Sequence, residues 1–179
     1  MNRRHLIALT AIVWLAGSCG AVAAERKHMV GFGLDTAVVD VDSFPDSIDF
    51  TGFSVFGKFG ITKNWGILFS YRDMEDDENL AAGEKDTYTQ IGVYGVYMWR
   101  PDKKVRPHVK FGVSSVDLDV EVPGFFTASD DDTAFSFGGG LEAGSQKVAF
   151  FGDYDFTTVD LFGLDTDTAD LTLGVVFRF

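Results

Sequence analysis

The segment Leu171-Thr172-Leu173-Gly174-Val175-Val176-Phe177-Arg178-Phe179 alternates along its length and stops on an aromatic side chain. Successive side chains of an extended strand point to opposite faces. Leu171, Leu173, Val175, Phe177 and Phe179 therefore share one face, and Asp170, Thr172, Gly174, Val176 and Arg178 share the other. A strand that closes on Phe179 with no polar tail must place its apolar face in a protein core or in a lipid bilayer. Which of these holds for the whole chain decides what it folds into.

The pattern recurs. Eight extended segments are expected at residues 28–39, 50–61, 65–73, 87–99, 105–116, 133–143, 148–158 and 169–179. Many are rich in β-branched and aromatic residues, as strands are. Short connections fall near residues 62–64, 100–104 and 144–147, and long ones near 40–49, 74–86, 117–132 and 159–168. Short and long alternate, which describes an up-and-down meander with all short turns and both termini at one end. Acid gathers in the long connections, including Glu75-Asp76-Asp77-Glu78 and Asp130-Asp131-Asp132. Base gathers at the other end, in Arg26, Lys27, Lys63, Arg100, Lys103, Lys104, Arg106 and Lys147.

The residues opposite each apolar face decide which side is wet. Trp65, Ile67, Phe69 and Tyr71 oppose Gly66, Leu68, Ser70 and Arg72, while Phe135, Phe137 and Leu141 oppose Ser136, Gly138, Gly140 and Glu142. Eight strands enclose an interior that side chains can just fill. So many large residues turned inward would overcrowd it, whereas turned outward against lipid they have room. Glycine, serine and alanine are then expected to fill a narrow lumen. Unpaired backbone groups cost several kcal/mol in hydrocarbon, so strands span a membrane only as a closed barrel. About 9–11 tilted residues suffice for one crossing. The expected fold is all-β, an eight-stranded antiparallel up-and-down transmembrane β-barrel. Trp65 and Trp99 beside short turns, with Phe179 at the same level, would form an interfacial girdle.

The lumen candidates are Asp35, Lys58, Arg72, Gln90, His108, Lys110, Glu142, Asp153, Asp155, Asp170 and Arg178. Unpaired buried charge is costly, so these groups should pair into a salt-bridged plug and not line an open pore.

Residues 1–24 read as a cleavable export signal, leaving 25–179 as the barrel domain. Arg3 and Arg4 precede a short apolar stretch, and Ala21-Val22-Ala23-Ala24 offers a small-residue cleavage site. The stretch is too short to span as a helix. The single cysteine, Cys19, lies inside it, so no disulfide, thiol nucleophile or thiolate metal site is expected in the mature protein. As a lipid-attachment site, Leu15-Ala16-Gly17-Ser18-Cys19 places Ala16 where a larger aliphatic is wanted. A formal charge of −12 argues against nucleic acid, which requires a basic face. No cofactor is implied. The acidic runs lack the ligand spacing of an EF-hand, so any Ca²⁺ or Mg²⁺ there would be a weak bridge to lipopolysaccharide phosphates. Phe125 and Phe126 stand in an otherwise polar connection, as partner contacts or rim packing.

The signal, the strand count, the loop rhythm and the ending Val175-Val176-Phe177-Arg178-Phe179 resemble the small eight-stranded outer-membrane barrels of the OmpX and OmpA-transmembrane-domain type. The resemblance covers the whole mature chain. It implies Sec-type export to the outer membrane, contact with outer-membrane lipid and lipopolysaccharide, and a monomer. It also implies that Val175, Phe177 and Phe179 form the signal read by the outer-membrane assembly machinery. Relatives of this type include structural anchors, adhesins, channels and lipid A enzymes. Eight-stranded lipid A deacylases carry a His-x-Ser pair facing lipid, whereas His108-Val109-Lys110 lacks that hydroxyl. The expected role is therefore structural or surface interaction without catalysis, with an external partner at the acidic loops. A narrow conduit for small or hydrophobic solutes is the alternative.

Overall fold

The computed structural model describes residues 28–41, 47–76, 85–122 and 126–179. The export signal read at 1–24, with Cys19, lies outside them, as do Asp77, Glu78 and Phe125. The described residues form strands β1 (Met29–Val41), β2 (Ile48–Gly60), β3 (Trp65–Asp76), β4 (Lys85–Met98), β5 (Val105–Val122), β6 (Phe126–Gly144), β7 (Val148–Leu161) and β8 (Leu164–Arg178). Each is antiparallel to its sequence neighbour, and β8 returns to β1, closing the barrel. The closing seam runs from Met29 opposite Arg178 to Val41 opposite Thr166. His28 and Phe179 extend it by exchanging backbone hydrogen bonds of 3.2 and 3.1 Å.

Period-two alternation sorts every strand into an outer and an inner face. The outer face is a band of large apolar residues left open, among them Leu34 at 74% exposure, Phe150 at 73% and Phe135 at 61%. In β8 the outward set is Leu171, Leu173, Val175, Phe177 and, just past its end, Phe179, while Asp170, Thr172, Val176 and Arg178 are buried within.

The inner face departs from the expected lining of small residues. Phe50, Phe56, Tyr88, Tyr94 and Phe151 also point inward and are buried. Glycines on the same face make room for these rings. A methyl added at Gly31 would lie 2.2 Å from the Phe56 ring, at Gly92 2.2 Å from that of Tyr94, and at Gly174 2.6 Å from that of Phe151. Large and small positions thus interlock, across adjacent strands for Phe56 and Phe151 and within β4 for Tyr94, as in other small barrels.

Two connections read as long loops are mostly strand. Residues 117–132 continue the β5–β6 ladder to Val122 opposite Phe126. The acidic run Asp130–Asp132 therefore lies in β6, which Phe126 begins. Residues 159–168 continue the β7–β8 ladder to a two-residue turn, Phe162-Gly163, with both residues at positive φ (56° and 74°) as a type I′ hairpin turn requires. The physical reason is that the inward alternation persists beneath the acid. Val116, Leu118, Val159 and Leu161 belong to a buried apolar cluster with Ala37, Val39, Phe50, Met74 and Tyr88. The outer ends are thus projecting ribbons. Between β6 and β7 the backbone ladder stops earlier, at Ser136 opposite Thr157.

Gly174→Ala should lower the unfolding free energy by about 1–3 kcal/mol through overpacking against Phe151 and the Phe32 carbonyl. Gly95→Ala, whose methyl would meet Phe111 at an ordinary 3.4 Å, should leave it nearly unchanged. Urea unfolding in detergent micelles measures both.

Candidate functional site: the charged lumen

The middle of the lumen is organised around Arg72, supplied by β3. Alternation turns it inward between Ser70 and Met74, and its length carries it across the barrel. Its Nε faces Asp35 of β1 at 3.2 Å, its Nη1 donates to Asp170 of β8 at 3.1 Å, and its Nη2 pairs with Asp155 of β7. The same guanidinium donates to Gln90 of β4, and to Thr172 at 3.3 Å. Lys110 of β5 pairs with Asp153 and, at 2.8 Å, with Asp155. It also lies 5.2 Å from the centre of the Tyr94 ring, within cation–π range. His108 Nε2 lies 3.1 Å from Asp153. All these charged groups are buried.

A second layer lies nearer the short turns. Glu142 of β6 pairs with Arg178 of β8 and, at 3.4 Å, with Arg106 of β5. Lys58 is buried at this end too, opposite Met29 and Leu68 in register. Between the two layers a cavity of about 30 Å³ is lined by Phe56, Leu68, His108, Lys110, Glu142, Phe151 and Asp153, among others. Above the Arg72 layer the apolar cluster of Phe50, Met74 and Tyr88 fills the section.

One contributor, Arg106, stands in the lumen where the sequence reading does not put it. Arg106 was grouped with the turn bases but is fully buried, and its guanidinium donates to the carbonyls of Lys103 and Ser145 at 2.8 and 3.2 Å. Its spacing of two and four from His108 and Lys110 was the available signal, because those positions share a face. Gln90, Ser114, Ser136 and Thr157 form a hydrogen-bonded belt across β4 to β7. Ser114, Ser136 and Thr157 occupy inward positions by the same alternation.

The sequence profile of the outer membrane protein beta-barrel domain matches residues 9–179. The chain belongs to that family. A search of curated proteins finds no significant match. Among solved structures, the barrel is similar to Ail, the attachment invasion locus protein of Yersinia pestis, at 17% identity and a TM-score of 0.68, covering 87% of this chain and 99% of that one. It is similar to Neisserial surface protein A at 13% identity and 0.72, covering 85% and 97%. It is also similar to OprG of Pseudomonas aeruginosa at 11% identity and 0.62, covering 86% and 95%. At these identities the likeness is one of fold. The family places the protein in the outer membrane, and the exposed apolar band is the surface that lipid covers.

In this outer-membrane barrel, Trp65 and Trp99 are exposed at the short-turn end. Tyr97 joins them, its ring centre 4.9 and 5.0 Å from theirs. Phe179 is exposed at the same end, with its ring centre 6.2 Å from that of His28. At the opposite rim the carboxylates of Asp132 and Asp130 accept the backbone N–H groups of Asp160, at 2.9 Å, and Phe162, at 2.5 Å. Side chains there replace the ladder that β6 and β7 have given up. Among the described residues no cluster of three or more His, Cys, Asp or Glu is placed to hold a metal ion.

Arg72→Leu would strand three carboxylates around one vacated centre. It should destabilise the barrel by about 3–5 kcal/mol, the usual cost of breaking a buried pair from one side, as read from unfolding in lipid vesicles. The Asp132 carboxyl is held below the usual range because it accepts the N–H of Asp160 and then that of Thr133. A lowered value means that this contact stabilises the rim above the ordinary carboxylate range and is lost as pH falls through the lowered one. Asp132→Ala should accordingly speed hydrogen exchange at the Asp160 amide and leave the rungs below Thr157 unchanged.

Proposed function

We propose that this outer-membrane barrel is a structural or surface-interaction element of the envelope, with a closed lumen and no catalysis. The observation that carries the reading is the filling of the lumen at successive levels. An apolar plug, the Arg72–Lys110 layer and the Glu142 layer follow one another. The cavity between the charged layers, about 30 Å³, has room for about two waters at ~10–15 Å³ each. His108 is buried in the lumen against Asp153, away from lipid, and the paired carboxylates Asp153 and Asp155 are held by Lys110.

In this reading residues 1–24 are removed on export, and Val175, Phe177 and Phe179 present the assembly signal on the lipid-facing side of β8. The projecting ribbons face the outside, the short turns face the periplasm, and the protein acts as a monomer. Ail has been solved with the heparin analogue sucrose octasulfate, an anionic ligand. Here the outer segments 40–49, 74–86, 117–132 and 159–168 contain Lys85 as their one basic residue. An external partner of this chain would therefore be cationic.

A narrow conduit for small or hydrophobic solutes is the second reading, favoured by the early end of the β6–β7 ladder. Planar-bilayer recordings separate the two. The closed-lumen reading expects no steady conductance from the wild-type barrel, and a large steady conductance from monomers would overturn it. A deletion strain that loses surface adhesion but keeps its envelope permeability supports the first reading, and the reverse supports the second.

A further inference from the structure

The short-turn end is a built platform and not a set of separate loops. The turn joining β2 to β3 is tied to the end of β4, because Asn64 donates its side-chain amide to the Met98 carbonyl at 2.8 Å and Met98 N–H returns to the Asn64 carbonyl at 2.9 Å. Lys63 reaches Asp102 in the turn between β4 and β5. That turn is bound in its own right to the one between β6 and β7. Gln146 donates to the Asp102 carbonyl at 2.8 Å, Gly144 N–H donates to the Lys104 carbonyl at 2.9 Å, and the buried Arg106 holds the carbonyls of Lys103 and Ser145. Three turns are thereby fixed to one another.

The side chains left outside this lattice are bases. Arg100, Lys103, Lys104 and Lys147 are exposed on it, and the one acidic side chain in these turns, Asp102, is engaged by Lys63. Arg100 follows Trp99 directly in the chain, and the others share the short-turn end with the Trp65, Tyr97 and Trp99 rings, which mark where hydrocarbon gives way to headgroups. Long basic side chains at that level reach headgroup phosphates while their stems stay against apolar surface.

We propose that this platform is a binding site for anionic phospholipid headgroups of the leaflet it faces, with Arg100, Lys103, Lys104 and Lys147 as its phosphate ligands. Lipid is favoured over a soluble periplasmic anion because the bases lie at the same end of the barrel as the exposed Trp65 and Trp99. The turns are already tied to one another by these hydrogen bonds, so binding orders little beyond the four side chains. The same charges would hold the barrel at a fixed depth, with its acidic ribbons kept clear of the opposite leaflet. The choice of leaflet rests on the orientation given above.

The test uses the intact barrel, purified from outer membranes and placed in nanodiscs of phosphatidylcholine containing a minor fraction of phosphatidylglycerol. Native mass spectrometry then counts the lipids retained. The wild-type barrel should retain phosphatidylglycerol preferentially, and high salt should weaken the preference. Each of Arg100→Gln, Lys103→Gln, Lys104→Gln and Lys147→Gln should reduce that preference by about fivefold, the effect of roughly one interfacial base. Lys85→Gln at the opposite rim should leave it intact. All four target side chains are exposed, so the combined variant is expected to keep heat-modifiable migration. Should it fail to fold, the single variants decide. Equal retention by wild type and variants, or equal loss with Lys85→Gln, overturns the proposal. So does binding of purified peptidoglycan by the wild type without any lipid preference. Orientation is read separately, by protease cleavage of tags placed at residue 146 in whole cells. Cleavage from outside would refute the assigned leaflet and leave the phosphate site standing.

Discussion

Closure of the backbone ladder is the constraint on which everything else depends. A strand edge in hydrocarbon leaves donors and acceptors that nothing can satisfy. The seam between β1 and β8 removes the last such edge, and the exchange between His28 and Phe179 carries it to the final residue of the chain. Once the sheet is closed, its outer face is free to be as apolar as the membrane demands. The exposed Phe, Leu and Val residues, which would be a liability on a water-soluble protein, become the surface that lipid covers.

Closure also creates the problem of the interior. Eight strands leave a tube that must be filled by side chains drawn from one face of each strand. The chain fills it in two ways. Rings interlock with glycines, as Phe56 does with Gly31 and Phe151 with Gly174. Charges are made to cross the tube, as Arg72 does in reaching β1, β7 and β8 from β3. Buried ion pairs contribute little net stability against a well-packed apolar alternative, but breaking one from a single side is costly. Their effect here is to link opposite walls, so that a one-residue slip of β3, β7 or β8 would turn Arg72, Asp155 or Asp170 toward lipid.

Strand number, face and barrel closure were legible because period two survives in the sequence without knowledge of partners. Two kinds of information were not. The lengths of β5 to β8 were hidden by composition, since Asp130-Asp131-Asp132 and Asp165-Thr166-Asp167 read as loop while their inward neighbours remained apolar or hydroxylic. The identity of ion partners was hidden by topology. Nothing local relates Arg72 to Asp170, ninety-eight positions away. Arg106 was a different failure: its neighbours in the turn outweighed its spacing from His108 and Lys110.

The early end of the β6–β7 ladder coincides with the end of the aromatic part of the outer face. At its last rung, Ser136 opposite Thr157, the flanking outward residues are Phe135 on β6 and Phe156 on β7. The next outward residues on the two strands are Thr133 and Thr158, followed by Asp131 and Asp160, all exposed. Backbone pairing therefore stops at the level where the outer surface turns from aromatic to polar. Below that level a gap would expose unpaired amides to lipid. Above it water can satisfy them, and so can a carboxylate, as Asp132 does for Asp160 and Asp130 for Phe162. The two strands can part there because the solvent has changed. The sequence that brings acid to the rim thus does two things at once: it ends the membrane-facing surface and supplies the acceptors that the parted ladder needs.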